Sequence, residues 1–361
     1  MKNVMRAAAL GGAVALALAA CGSAPDEAEE TAGGDTASDF KACMVSDQGG
    51  YDDQSFNQSG YEGLVRAGEE LGIEINALES SGDSDYGPNI DSLVQDGCTL
   101  IIGVGFLLEQ AIEDGATANP DVEFALIDST FSDDDFNPLE FDNAKPILFN
   151  TAEASYLAGY VGAAMSESDV VGTFGGLPIP SVQIFMDGFV DGVAAWNEES
   201  GESVRVLGWD KEAQDGSFTG DFETQANGQN TAQGFIDQGA DVIMPVAGPV
   251  GLGAAAAASG VEGTKLIWVD NDGYNTTEYG SLMLTSVMKQ IGDAVFEVVR
   301  EASAGNFTNE PYVGTIENGG VGIAPFHDFE AEIPAEVSER VEELYAQIAS
   351  GELVIESPNS P

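Results

Sequence analysis

From Lys41 onward, short runs rich in Val, Ile and Leu alternate with longer stretches whose apolar positions recur at helical spacing, and most of the short runs close on Gly, Asp or Asn. That alternation predicts βαβ units and a parallel sheet. In the first half the predicted strands are Cys43–Asp47, Glu74–Leu78, Thr99–Val104, Glu123–Asp128 and Ile147–Asn150. In the second half they are Val170–Phe174, Val204–Trp209, Asp241–Val246, Leu266–Asp270 and Leu282–Ser286. Helical periodicity fills the gaps at Gly60–Leu71, Leu107–Ala118, Glu153–Met165, Ile184–Asn197, Thr231–Gln238 and Gly251–Ala258. The halves repeat one architecture without a close sequence repeat. Because 361 residues are too many for one comfortable core, two lobes are expected.

The N-terminus follows a different pattern. Lys2 and Arg6 precede an apolar run from Ala7 to Ala20, too short for a stable membrane-spanning helix, so residues 1–20 read as an export signal. Leu18-Ala19-Ala20-Cys21 resembles a bacterial lipobox, which would make Cys21 the lipidated first residue of the mature chain. The polar stretch over residues 21–39 then reads as a disordered tether holding the lobes off a membrane. The expected protein is anchored at the extracytoplasmic face rather than embedded.

Charge narrows the partners. Sixty-two acidic against eleven basic residues give a formal net charge of −51, which excludes nucleic acid and predicts stabilisation by salt. Such a surface fits a high-salt habitat, and it equally fits plain solubility. Once Cys21 is assigned to lipid, Cys43 and Cys98 remain. An even pair in an exported chain suggests a disulfide, since both open strands that a doubly wound sheet sets side by side; two buried free thiols are the alternative.

In open α/β sheets, ligands bind beyond the carboxyl ends of the strands. Asp47, Gly105-Phe106, Asp128, Gly175-Gly176, Ala247-Gly248 and Asp270-Asn271-Asp272 all fall at such ends. The stretch GGYDDQSFNQSGYEGL, from Gly49 to Leu64, adds amides, carboxylates and Phe56 just after the first strand. Phe56 there is either a ring presented to a ligand or an ordinary core aromatic capping the strand. Gly248 and Gly251 permit close backbone approach, either to a ligand or to a neighbouring helix. The only histidine, His327, stands beside Asp328 and reads as a surface or capping residue. No nucleophile triad, zinc motif or phosphate loop is present, and Asp133-Asp134-Asp135 lacks calcium-loop spacing. Neither an enzyme, a metal site nor a cofactor is expected.

The segments SDQGGYDDQSFNQSGYEGL, IIGVGF, PDVEFALID, ASYLAGYVGAAM, DQGADVIMPVAGPVGLG and VDNDGY…LTSVMK resemble, in order and spacing, the basic membrane protein family of lipoproteins. These are substrate-binding proteins of ABC transporters, among them purine-nucleoside receptors. ENGGVGIAPF and a helix from Pro334 to Ser350 also fit. The resemblance implies an α/β chain with the type I periplasmic-binding fold, two Rossmann-like lobes around a ligand cleft. The implied lobes are residues 40–149 with roughly 284–310, and 150–283 with roughly 311–361.

In function, the resemblance implies capture of a purine nucleoside and delivery to an ABC permease and its ATPase. Phe56 would stack on the base and Asp47 would contact the ligand, with Asp53, Asn57, Phe106 and Gly248 lining the site. Phe222, six residues before Gly228, would supply the second ring, with Trp209 as the alternative. Asp128, Asp270 and Lys289 would lie near the sugar, with Asp272 as a neighbour. A signalling or surface lipoprotein of the same fold, or a binder of a sugar or other small polar solute, are the competing readings.

Overall fold

The computed structural model describes residues 40–132 and 138–361. The export signal, the tether with Cys21 and the triplet Asp133–Asp135 lie outside the described residues. The strands are β1 (Lys41–Ser46), β2 (Glu74–Leu78), β3 (Leu100–Val104), β4 (Glu123–Ile127), β5 (Ala144–Phe149), β6 (Val170–Gly175) and β7 (Arg205–Leu207). They continue as β8 (Trp209–Asp210), β9 (Asp215–Gly216), β10 (Val242–Val246), β11 (Lys265–Asp270), β12 (Met283–Lys289), β13 (Tyr312–Gly314) and β14 (Val321–Ile323). The helices are α1 (Phe56–Leu71), α2 (Asp83–Gln95), α3 (Glu109–Ala118), α4 (Thr151–Ala164) and α5 (Pro180–Ser200). After them come α6 (Gln225–Ile236), α7 (Val250–Ser259), α8 (Gly273–Thr276), α9 (Ile291–Ser303) and α10 (Ala335–Ala349).

Continuous apolar runs such as β3 and β10 are buried along their whole length, as parallel strands covered on both faces must be. The first sheet has the order β13-β5-β4-β3-β1-β2 and the second β14-β12-β11-β10-β6-β7. Counted along the chain within each lobe, both contain the doubly wound order 2-1-3-4-5. Every pairing in these two sheets is parallel except β12 with β14. The predicted strand Val204–Trp209 is split into β7 and β8 at Gly208, whose φ of +87° breaks the extended run.

The chain crosses between lobes near Asn150, near Gln290 and between β13 and β14. This corrects the expected boundaries. β12 pairs with β11 in the second sheet through Met288, so the return to the first lobe falls at about residue 290 and not 284. Residues 312–314 then join the first sheet beside β5, although 311–361 were assigned to the second lobe.

Close helix contacts fix both lobes. A side chain at Gly63 of α1 would sit 2.4 Å from the Gly292 carbonyl of α9, and one at Gly159 of α4 would sit 2.2 Å from the Phe189 carbonyl of α5. α4, buried on nearly all faces, is apolar all round for that reason. Cys43 and Cys98 are disulfide-bonded with Cα atoms 5.9 Å apart. The bridge spans 55 residues of sequence, and closing a loop of that length stabilises the fold by about 4 kcal/mol in the chain-entropy account.

Asp187, fully buried in α5, gathers donors from three segments. Trp209 Nε1 and Gln214 Nε2 each donate to Oδ1 at 2.9 Å, while Ser357 Oγ and Asn359 Nδ2 donate to Oδ2 at 2.6 and 3.0 Å. The carboxylate thereby pins residues 357–359 onto the second lobe.

Candidate functional site

The carboxyl ends of the two sheets face one another across a narrow cleft of about 60 Å3. From the first lobe it is lined by Asp47, Gln48, Asp53, Phe56, Asn57, Gly105, Phe106 and Asp128. The second lobe contributes Ile179, Ser181, Val182, Phe185, Phe222, Val246–Pro249, Val269, Asp270 and Lys289.

The stretch after β1 is built around Asp53. Its carboxylate accepts from the backbone N–H groups of Ser55, Asn57 and Gln58 at 2.9–3.0 Å, capping α1 from three residues before its first residue. Phe56 is therefore the first residue of α1, and Asn57 is turned back toward β1. Asn57 Nδ2 donates to Asp47 Oδ1 at 3.1 Å and to the Gln48 carbonyl at 3.0 Å. The Asn57 Oδ1 atom is buried without a hydrogen-bond partner, an acceptor whose desolvation is uncompensated until a donor reaches it. Gly105, at φ +114°, leaves room for Asp47: a side chain there would lie 2.0 Å from Asp47 Oδ2.

Two aspartates occupy equivalent places in the two lobes. Asp128 follows β4 at φ +68° and Asp270 ends β11 at φ +72°, both left-handed. Non-glycine residues tolerate that region rarely, Asp and Asn most readily, and such strain concentrates at working sites. Both carboxylates converge on Lys289 at the end of β12: its Nζ donates to Asp128 Oδ2 and lies 3.8 Å from Asp270 Oδ1. The same ammonium faces the rings of Phe56, Phe149 and Phe185 at 4.7, 5.3 and 5.5 Å from their centroids.

Burial dominates the electrostatics. It raises the Asp47 carboxyl well above its usual range, helped by Asp53 and Asp128 nearby and opposed by the Asn57 amide. Asp53 and Asp128 are raised for the same reason, against the helix-start N–H groups and Lys289 respectively. Asp270 is pushed up to about 6 by burial, against the pull of Lys289. A carboxyl that ionises less readily folded than unfolded contributes stability below pH 4, lost as pH rises through about 6. Asp270→Asn is thus expected to gain on the wild type between pH 4.5 and 7.5 by about 2 kcal/mol. Thermal melts of both proteins across that interval check it, and a difference that stays flat with pH counts against it.

Contacts also run directly between the lobes. Ser55 Oγ donates to Asp270 Oδ2 at 2.8 Å, and Asn271 Nδ2 donates to the Gln54 carbonyl at 3.1 Å. The lobes are closed upon each other at this rim.

Of the residues singled out in the sequence, Asp47, Asp53, Phe56, Asn57, Phe106, Asp128, Phe222, Gly248, Asp270 and Lys289 line this one cleft. Asp272 does not. It accepts from Tyr274 N and Asn275 Nδ2 at the start of α8 and bonds His327 Nε2 at 2.8 Å, because the chain turns away after Asp270. His327 also stacks on Tyr274, with centroids 4.0 Å apart. Trp209 is held by Asp187, so the cleft-lining ring of that region is Phe222, accommodated because a side chain at Gly176 would lie 2.3 Å from it. Gly248 serves its own φ of +51°, whereas Gly251 makes room for Trp268. Phe185 and Ser181 were missed. Both sit in the first turns of α5, a stretch whose sequence predicts a helix from Ile184 but not which face meets the cleft.

A family model described as "ABC transporter substrate-binding protein PnrA-like" matches residues 40–355. A CD4+ T-cell-stimulating antigen of Listeria monocytogenes is 30% identical over 369 residues, covering 95% of each chain. The ABC transporter nucleoside-binding protein BmpA of Lactococcus lactis is 28% identical, covering 99% of each. Among solved structures, an ABC transporter solute-binding protein of Aeropyrum pernix superposes with a TM-score of 0.78 at 24% identity, over 88% of this chain and 94% of that one. The shared architecture is the type I periplasmic-binding fold.

Proposed function

Because this chain belongs to the family of PnrA-like ABC transporter substrate-binding proteins, we propose that it captures a purine nucleoside between its lobes and delivers it to a permease. The family is the substrate-binding component of ABC transporters and not an enzyme. The observation that carries the ligand assignment is the meeting, in one cleft, of two rings from opposite lobes, Phe56 and Phe222, with a set of buried carboxylates and the free Asn57 acceptor. A base gains from rings on its faces and from donors and acceptors along its edge. The Asp128–Lys289–Asp270 group suits sugar hydroxyls, which both donate and accept. A plain sugar would satisfy the polar group yet leave the two rings without purpose. BmpA, over nearly its whole length a relative of this chain, carries nucleoside binding in its name.

No described helix is long and apolar enough to cross a membrane. The LAAC sequence at residues 18–21 supports anchoring through lipid on Cys21, on the extracytoplasmic face. A ligand that touches both lobes favours their closed arrangement by its differential affinity. Thermal-shift screening against nucleosides, free bases, sugars and amino acids tests the assignment. Purine nucleosides at about 100 times their Kd are expected to add roughly 2.7 kcal/mol of stability. Stabilisation by sugars alone overturns it.

A further inference from the structure

Behind Asp128 the cleft continues into a second chamber. The two share Phe106, Asp128 and Ser181 as walls, and the chamber, partly open to solvent, holds about 310 Å3. One wall is Glu109, which accepts from the Ser129 hydroxyl and from Ser132, whose Oγ and N lie 2.7 and 3.1 Å away. The facing wall is the segment Pro358–Pro361. That segment is a built surface: Asn359 is tied to Asp187 and Gln214, and Ser360 Oγ donates to Asn150 Oδ1 at 3.1 Å at the first crossing between lobes. Among the described residues no Lys or Arg lines the chamber, whereas the carboxylates of Glu109 and Asp128 do.

We propose that this chamber is an extension subsite, accepting an uncharged polar substituent carried on the sugar end of the ligand and rejecting a phosphate there. The inference rests on the nucleoside reading, which sets the sugar against Asp128. In a nucleoside the 5′ carbon is the exocyclic position of the sugar, so a substituent there extends the ligand at its sugar end. An amide or hydroxyl there meets carboxylate and hydroxyl partners, while a phosphate meets Glu109 and an Asp128 whose charge is already matched by Lys289, with no further Lys or Arg among the described lining residues, which is costly in a partly desolvated space.

The test is titration calorimetry of the purified protein with the tightest purine nucleoside from the screen, its 5′-N-ethylcarboxamide and its 5′-monophosphate. The carboxamide is expected within about tenfold of the parent and the monophosphate at least about 100-fold weaker. Filling the chamber from the exposed Thr130, as Thr130→Trp, is expected to weaken the carboxamide by about 30-fold and the parent by less than about threefold. Ser360→Trp, from the facing wall, repeats the test should the first variant fold poorly. A parent that binds while the carboxamide does not, or filled variants that weaken both ligands alike, overturn the subsite alone. Failure of every nucleoside to bind overturns the nucleoside reading and the subsite with it.

Discussion

Phe56→Ala weakens purine-nucleoside binding by about 100-fold, the upper part of the 1–3 kcal/mol associated with stacking a base on an aromatic ring. The half-buried ring stands at the first residue of α1, held there by the Asp53 cap, so its removal deletes a face of the cleft without disturbing the helix start. Asp47→Ala adds a second, separable loss. Its carboxylate has one side-chain donor, Asn57 Nδ2, and removing it leaves both that amide and the ligand edge without a partner. Because the two side chains touch one ligand, the double variant is expected to lose less than the two single losses combined. Calorimetric titration of the single and double variants measures this. If Phe56→Leu, which keeps the apolar volume, binds as tightly as the wild type, the ring is not a stacking face.

Lys289→Met is the variant with the largest expected effect on stability. It leaves Asp128 and Asp270 facing each other in a buried site without their cation, a loss of about 3–5 kcal/mol for breaking a buried ion pair. Either carboxyl then takes up a proton, so the loss is greatest at neutral pH and shrinks toward pH 5. Adding Asp128→Asn removes one of the stranded charges and is expected to restore more than half of the stability, as read by urea denaturation. Equal stability of Lys289→Met and wild type at pH 7.5 shows that the ammonium does not hold this site together.

Much of this was legible along the chain. The β-branched runs locate β3, β10 and β11 to within a residue, because a strand buried on both faces admits little besides apolar side chains. Helix α2 was not legible. Its buried positions are only Tyr86, Ile90 and Leu93, and Gly87-Pro88 interrupts the pattern. Residues 291–303 carry apolar positions at helical spacing, and their place on the first lobe, implied by the family resemblance, is fixed by the contact between Gly63 and Gly292, which no local pattern records.

The candidate site divides in the same way. Strand-end aspartates were legible by position, and Asp272 failed because it lies two residues beyond the end of β11, far enough for the chain to have turned into α8. The left-handed backbone of Asp128 and Asp270, and their convergence on Lys289, arise only when β4, β11 and β12 are assembled.

The three crossings between lobes constrain how the molecule is made. A chain emerges from the ribosome N-terminus first, yet the first lobe lacks its covering helix α9 and its edge strand β13 until residue 314 is outside the exit tunnel. By then every strand of the second lobe except β14 is outside. The lobe synthesised first is completed almost last, so a nascent chain stalled before α9 should be cut readily by proteases within residues 56–71, the helix that α9 covers.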